Sequence, residues 1–203
     1  VTEDAVAQRR QVAVHDDAIH DALVEKVLKK TQAIQLGHGL RNSGMGPVNS
    51  EVQLERIAGH VDSAKSRGIQ VLCGGSSGAD PLSGLGWFYE PTLLDRVPLH
   101  DAAVQQEIFG PVLCIQTFAD TEEAVHLANG TQFGLVAGIF TKDLSAAHRL
   151  AQLIDAGQVY VNEYFAGGIA VPFGGNKHSG FGREKGLEAV GSYCKTKSVV
   201  ARI

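Results

Sequence analysis

The chain has 203 residues, 44% of them hydrophobic, which is enough to bury one substantial core. Its net charge of -4 comes from 18 basic and 22 acidic residues scattered along the whole length, so no basic cluster favours nucleic-acid binding. The three cysteines, Cys73, Cys114 and Cys194, lie far apart. They predict neither a disulfide framework nor a thiolate metal site, and we expect a reducing compartment.

Targeting and membrane signals are missing from the sequence. Its apolar stretches are all shorter than the roughly 20 residues that span a bilayer. The acidic start, Val-Thr-Glu-Asp at residues 1–4, lacks the basic and apolar regions of a signal peptide. We therefore expect no membrane association, and a location in the cytoplasm or an organelle matrix rather than secretion.

Short apolar runs alternate with amphipathic segments from about residue 11. Residues 12–14 predict a strand, after which Asp16 or Asp17 caps a helix. The apolar positions of that helix at helical spacing are Ile19, Leu23, Val27 and Ile34. A loop at 35–49 follows, Ser50 caps a second helix that Gly68 ends, and residues 69–73 predict the next strand.

The second half of the chain continues this alternation. A loop at 74–86 precedes an extended stretch at 87–94 and a strand at 112–115. Asp120 or Thr121 opens a helix, and a strand at 135–140, a helix at 144–154 and a strand at 158–161 come next. A short helix near 186–190 and a strand near 198–202 end the chain. The pattern predicts an α/β fold with a largely parallel sheet flanked by helices.

Glycine is the one unusual component of the composition. There are 24 glycines, and six of them lie between residues 167 and 182. Their concentration predicts a loop whose backbone passes close to a ligand or to another backbone. The sequence has neither a G-x-G-x-x-G run after a strand nor a Walker-type phosphate loop, so it predicts no dinucleotide-binding fold of its own.

Several motifs point to one family. Residues 107–112 read Glu-Ile-Phe-Gly-Pro-Val, and residues 172–180 read Pro-Phe-Gly-Gly-Asn-Lys-His-Ser-Gly. With the runs at 45–47, 53–57, 88–94, 129–135, 158–162 and 182–184, the chain resembles the C-terminal half of an NAD(P)-dependent aldehyde dehydrogenase from about residue 11 onward. The resemblance implies a catalytic-domain segment at 1–190 and a C-terminal oligomerisation strand at 191–203.

The resemblance also implies site residues. Glu107 would accept hydrogen bonds from the two ribose hydroxyls beside the nicotinamide of NAD or NADP, and Phe109 would pack near the ring. Since these residues hold only one end of a cofactor, we expect weak binding by this chain alone. The passage for the aldehyde would be lined by Phe165, Gly167, Gly168, Ile169 and Phe173.

Two groups that the reaction needs are missing from this sequence. In the family, a cysteine after a Gly-Gln pair attacks the aldehyde and a glutamate acts as general base. The cysteine position falls at or near Val6, and residues 1–10 contain no cysteine; the Glu-Leu-Gly-Gly run of the base is also absent. We therefore assign no catalytic residue and expect the chain alone to be inactive. The three cysteines are expected to be buried small hydrophobic residues.

Two interpretations remain from the sequence. The first is the C-terminal segment of an aldehyde dehydrogenase, with an aldehyde substrate in the full-length enzyme and a homo-oligomer or a full-length subunit as partner. The alternative is a non-catalytic interaction protein that keeps the fold, in which the C-terminal strand and exposed surfaces bind a full-length subunit. The eight histidines show no metal-binding spacing.

Overall fold

A computed structural model describes residues 5–8, 12–41, 43–164 and 167–203. Its strands are β1 Ala5–Gln8, β2 Val12–Asp16, β3 Gln70–Cys73, β4 Ser77–Gly78, β5 Phe88–Tyr89, β6 Thr92–Asp95, β7 Val112–Phe118, β8 Phe133–Gly134, β9 Val136–Phe140, β10 Gln158–Val161 and β11 Asn176–Lys177. Its α-helices are α1 His20–Gln32, α2 Glu51–Ser66, α3 Ala102–Gln105, α4 Thr121–Asn129, α5 Leu144–Leu153 and α6 Glu188–Ser192.

Seven strands form the central sheet in the order β10-β9-β1-β2-β7-β6-β3. Strands β2, β7 and β6 pair in parallel, as do β9 and β10. Strand β1 is antiparallel to both β2 and β9, so those two strands run in the same direction. Five of the seven strands are therefore co-directional, with β1 and the edge strand β3 opposed. This confirms the α/β class with a largely parallel sheet.

Polar side chains begin the helices where the sequence predicts them. Asp16 accepts from the amide of Ala18 and starts a short 3-10 turn that leads into α1. Ser50 accepts from the amide of Gln53 at 3.2 Å at the start of α2, and Asp120 accepts from that of Glu123 at 2.9 Å at the start of α4. Ile34 departs from the expected helical face, because α1 ends at Gln32.

The core lies between the sheet and the helices. All four residues of β6 are buried, as expected for a strand inside a parallel sheet that is covered on both faces. Helix α2 buries Ile57, Val61 and Ala64, which repeat at i, i+4 and i+7 and join the cluster that contains Cys114 of β7. This packing fixes α2 beside the segment that enters β7.

The C-terminal segment carries no strand within this chain. Residues 194–203 have no regular secondary structure, and the side chains of Val199 and Val200 are 80% and 94% exposed. The expected strand near 198–202 is thus not confirmed, since a strand needs a neighbouring edge with which to pair. The division into 1–190 and 191–203 stays a prediction. Among the described residues, no helix combines the length and the apolar character that a bilayer crossing requires.

Candidate functional site: two anchored loops at one edge of the sheet

Helix α2 holds the loop at residues 106–111, which leads into β7. Ile108 is fully buried, and the side-chain amide of Gln53 donates to the carbonyls of Ile108 and Phe109 at 2.9 and 3.1 Å. The guanidinium of Arg56 donates to the carbonyl of Glu107 at 3.2 Å. These bonds all go to backbone carbonyls, so they do not involve the side chains of Glu107 and Phe109.

Gly110 brings the same loop into close contact with α2. A methyl group at this position would lie 2.5 Å from the side chain of Ile57, so only glycine fits without a shift. Just before it, Phe109 has a φ of 57°, a left-handed conformation that is uncommon for a non-glycine residue. The consequence is that the Phe109 side chain is 71% exposed, and Glu107 is exposed as well.

Helix α3 leads into this loop and has its own anchor. Asp101 caps the helix by accepting from the amide of Ala103 at 2.8 Å, and it accepts from Nε and Nη2 of Arg67 at 2.7 and 2.9 Å. Burial by itself would raise the pKa of Asp101, but the hydrogen bonds from Arg67 and Ala103 outweigh it, so the pKa lies below its ordinary value. Asp101 therefore stays ionised at neutral pH.

The glycine-rich loop is anchored at several points near the start of β10. Phe173 and Glu184 exchange two backbone hydrogen bonds of 2.6 and 2.7 Å. The Ser179 hydroxyl accepts from the amide of Gly134 at 3.0 Å. A methyl group on Gly157 would overlap the carbonyl oxygen of Gly174, so two backbones touch here as the glycine content predicts.

The predicted passage residues lie on this loop with different exposure. Gly167 is half-buried, Gly168 has a φ of 65°, and Ile169 is 85% exposed. Phe173 is half-buried, and the ammonium of Lys185 lies 5.2 Å from the centre of its ring. Phe165 falls outside the described residues, so its predicted role stays a prediction.

Both loops lie at the same edge of the sheet. Residues 106–111 immediately precede β7, and Gly174 contacts Gly157, which immediately precedes β10. Since β7 and β10 run in the same direction, the two loops face the edge where these strands begin. Four inter-strand steps separate the two strands, which corresponds to roughly 19 Å. The structure thus places the loops that carry Glu107 and Phe173 at one edge of the sheet.

Cys114 and Cys73 are not activated nucleophiles. Burial raises the pKa of the Cys114 thiol to about 12, and it also raises that of Cys73. The expectation that all three cysteines are buried is confirmed for Cys114, is met in part by the half-buried Cys73, and is wrong for the exposed Cys194. The C-terminal segment in which it lies does not pack on the core, and this leaves the thiol in solvent. The part of the chain that the structure describes holds no group of three side chains able to bind a metal.

Sequence reasoning missed the side chains that hold the loops. Gln53 lies in a run that matches the family, but nothing local indicates that it reaches residues 108 and 109, which are 55 and 56 positions away. The same holds for Arg56 and Arg67. Spacing gives a partial signal, because residues 53, 56 and 57 share one side of a helix.

Comparisons with known proteins agree with the geometry. A sequence model of the Aldehyde dehydrogenase family matches residues 5–199. The 4-trimethylaminobutyraldehyde dehydrogenases of Oryzias latipes and Rattus norvegicus are each 42% identical, over 94% and 89% of this chain. The chain spans 38% and 37% of their lengths.

Solved structures give the same result. A putative aldehyde dehydrogenase from Burkholderia cenocepacia superimposes with a TM-score of 0.87 at 39% identity, covering 92% of this chain and 38% of that one. An indole-3-acetaldehyde dehydrogenase mutant of P. syringae, solved with NAD⁺ and IAA, gives 0.86 at 34% identity, covering 92% of this chain and 37% of that one. On the match to residues 5–199, the chain belongs to the aldehyde dehydrogenase family.

Proposed function

We propose that this chain supplies the nicotinamide-facing and aldehyde-facing surfaces of an enzyme that oxidises aldehydes to carboxylic acids with NAD or NADP. The observation that carries the proposal is the anchored loop, on which Glu107 and Phe109 stand exposed while Ile108 is buried. A left-handed conformation is strained for a residue other than glycine, and such strain clusters at active sites and ligand-binding loops. The chain covers less than two fifths of its relatives, so the complete activity belongs to a larger assembly.

The chemistry of the loop suits one end of the cofactor. The carboxylate of Glu107 has two acceptor oxygens, which match two neighbouring ribose hydroxyls. The ring of Phe109 offers a flat apolar face beside a nicotinamide. When bound, NAD(P) supplies the acceptor for the hydride that leaves the substrate. The role of this chain's residues is to orient that end of the cofactor and to exclude water from it.

The glycine-rich loop provides the opposite wall. Phe173 gives an apolar surface, and Gly167 and Gly168 allow the backbone to approach a substrate closely. We infer that the aldehyde enters through the gap between this loop and residues 107–109. Gln53 and Arg56 act through the backbone of the cofactor loop, since their bonds go to its carbonyls.

The first experiment tests turnover. The chain alone, with NAD⁺ or NADP⁺ and a panel of aldehydes, should give no reduced cofactor at 340 nm. The reason is that burial raises the pKa of the thiols of Cys73 and Cys114, while Cys194 lies in the exposed C-terminal segment. Co-expression with the N-terminal part of a full-length relative, extended through that relative's catalytic cysteine, should restore turnover. Cysteine-dependent turnover by the chain alone contradicts the proposed inactivity.

The second experiment tests the loop. In the restored assembly, Glu107→Gln should weaken NAD⁺ binding about tenfold without lowering the melting temperature, because Glu107 is exposed. Glu55→Gln, an exposed glutamate on α2, is the matched control. For the chain alone, calorimetry should detect only weak binding, and a micromolar dissociation constant contradicts that expectation. Equal binding by both variants contradicts the role of Glu107.

A second candidate function is a non-catalytic subunit that binds a full-length relative. It is favoured by the exposed apolar C-terminal segment, in which Tyr193, Val199 and Val200 are 91%, 80% and 94% exposed. Size-exclusion chromatography with a full-length relative distinguishes the two proposals. A stable complex whose turnover is insensitive to Glu107→Gln supports the interaction protein, and a complex that requires Glu107 supports the enzyme segment.

A further inference from the structure

The side chain of Gln158 lies beneath the glycine-rich loop. Gln158 is the first residue of the edge strand β10 and is only 9% exposed. Its amide nitrogen donates to the carbonyl of Pro172 at 2.8 Å and lies 3.6 Å from the point where a Cβ on Gly167 would stand. A single side chain therefore binds one end of segment 167–172 and lies near the other.

The orientation of this carboxamide is determined by its partners. The carbonyl of Pro172 can only accept, so the NH₂ group of Gln158 must face it. The oxygen of Gln158 then faces Tyr160, whose hydroxyl donates to it at 2.6 Å. Both ends of the buried amide are satisfied, and rotating or removing it costs both of these hydrogen bonds.

The bond to Pro172 sets the position of the next residue. Phe173 follows directly, and its amide and carbonyl are already paired with Glu184 at 2.6 and 2.7 Å. With Pro172 held on one side and Glu184 on the other, the backbone of Phe173 has little freedom. A side chain at Gly157, just before β10, would overlap the carbonyl oxygen of Gly174 and keep the loop away from this strand.

We propose that Gln158 is a positioning residue for aldehyde selectivity, holding the Phe173 wall at a set distance from β10 through the carbonyl of Pro172. The inference rests on the proposed function, in which Phe173 faces the aldehyde. Gln158 itself does not touch the substrate. Loss of the Gln158 side chain should let Phe173 move and should alter which aldehydes fit. The reacting groups should stay in place.

The test uses Gln158→Met, which keeps the side-chain volume and removes both hydrogen bonds. The matched control is Gln116→Met, because Gln116 is 3% exposed and donates to a backbone carbonyl, that of Val97, at 2.8 Å on another strand. A milder variant, Tyr160→Phe, removes the hydroxyl that orients the amide and leaves the bond to Pro172 in place. Circular dichroism and thermal unfolding establish that each variant folds.

The first arm measures hydrogen exchange by NMR in the chain alone. The amides of Phe173 and Glu184 should exchange about tenfold faster in Gln158→Met than in the wild type, relative to the amides of α2. Tyr160→Phe should shift them in the same direction by less, and Gln116→Met should leave them unchanged. Unchanged exchange in Gln158→Met overturns the inference and leaves the proposed function intact.

The second arm measures aldehydes of increasing chain length in the assembly that restores turnover. For Gln158→Met, the ratio of kcat/KM for long over short aldehydes should change about tenfold, while kcat for the shortest aldehyde stays close to wild type. A uniform loss of kcat for all aldehydes, or the same change in Gln116→Met, overturns the selectivity role. Absence of turnover in the wild-type assembly overturns the proposed function and the selectivity role with it.

Discussion

At the scale of single residues, glycine and histidine have the clearest consequences for the stability of the fold. Gly157 contacts the carbonyl of Gly174, and Gly110 contacts Ile57; in both cases the missing side chain allows a loop to pack on the core. His15 is fully buried on β2, and its ring lies 5.2 Å from that of His20. None of these properties depends on the proposed activity, so each can be tested on stability alone.

Gly157→Ala should destabilise the fold by about 3 kcal/mol, because the added methyl group overlaps a backbone oxygen rather than a flexible side chain. Gly59→Ala is the matched control, since nothing lies within 4 Å of its Cβ position in α2. That substitution should stabilise by up to about 1 kcal/mol through helix propensity. Urea unfolding measures both, and equal midpoints for the two variants contradict the contact.

Acid should destabilise the chain through His15. Burial lowers the pKa of His15 below its ordinary value, while the nearby Asp95 and Asp17 act in the opposite sense and His20 in the same sense. Below about pH 6.5 the unfolded chain therefore takes up a proton that the folded chain resists, so the free energy of unfolding falls as the pH falls. Above that pH this contribution is fully present.

His15→Gln should remove part of the stability loss between pH 7 and pH 5, because glutamine does not titrate. It should not remove all of it, because burial also lowers the pKa of His60. The control is His148→Gln at an exposed position of α5. Urea titrations at several pH values measure the effect. If the free energy of unfolding falls equally with pH in the wild type and in His15→Gln, the role of His15 is contradicted.

At the scale of elements, α2 and α3 together hold the cofactor loop. Helix α2 contacts the loop through Gln53, Arg56 and Ile57, and it reaches α3 through Arg67. Helix α3 has only four residues and depends on Asp101 for its start. A helix this short is unstable by itself, so its ion pair and cap determine whether the loop keeps its shape.

Asp101→Ala should cost about 2 kcal/mol, because it removes both the helix cap and the partner of Arg67, which is 40% exposed. Asp101→Asn keeps an acceptor for the cap and should cost about half as much. Asp143→Ala on α5 removes a cap without an ion pair and serves as reference, at about 1 kcal/mol. Equal losses for Asp101→Ala and Asp101→Asn in urea unfolding contradict a stabilising role of the cap.

At the scale of the whole molecule, the sheet brings both loops to one edge and leaves the C-terminal segment outside the core. Residues 194–203 have no regular secondary structure, and their valines are exposed. We propose that this segment pairs with a second subunit, in either a homo-oligomer or a complex with a full-length subunit. This is a proposal about the assembly.

Val200→Asp should weaken association with a full-length relative at least tenfold and leave the melting temperature of the chain unchanged, since Val200 is 94% exposed. Val52→Asp is the matched control, because Val52 is 74% exposed at the start of α2. Size-exclusion chromatography with light scattering measures association. Equal association for both variants contradicts a role of the C-terminal segment.

Local sequence patterns account for much of the secondary structure and for the family. Strand and helix positions follow from local periodicity, and Ser50, Asp120 and Gly68 mark helix ends through bonds and conformations within a few residues. The motif at 107–112 indicates the family, and the glycines indicate close backbone contact. These properties are local, because the groups that cause them lie near one another in the chain.

The features of the candidate site depend on how distant segments pack together and on the order of the strands. The hydrogen bonds from Gln53 to Phe109 and from Gln158 to Pro172 depend on how separate segments pack. Residues 107–109 and 173 share an edge because of the strand order β10-β9-β1-β2-β7. The exposure of Cys194 likewise reflects a segment that finds no partner in this chain. The sequence alone determined the fold class and the family, while tertiary structure decided which side chains hold the site. The physical reason is that contacts between distant residues arise from packing, which local patterns do not encode.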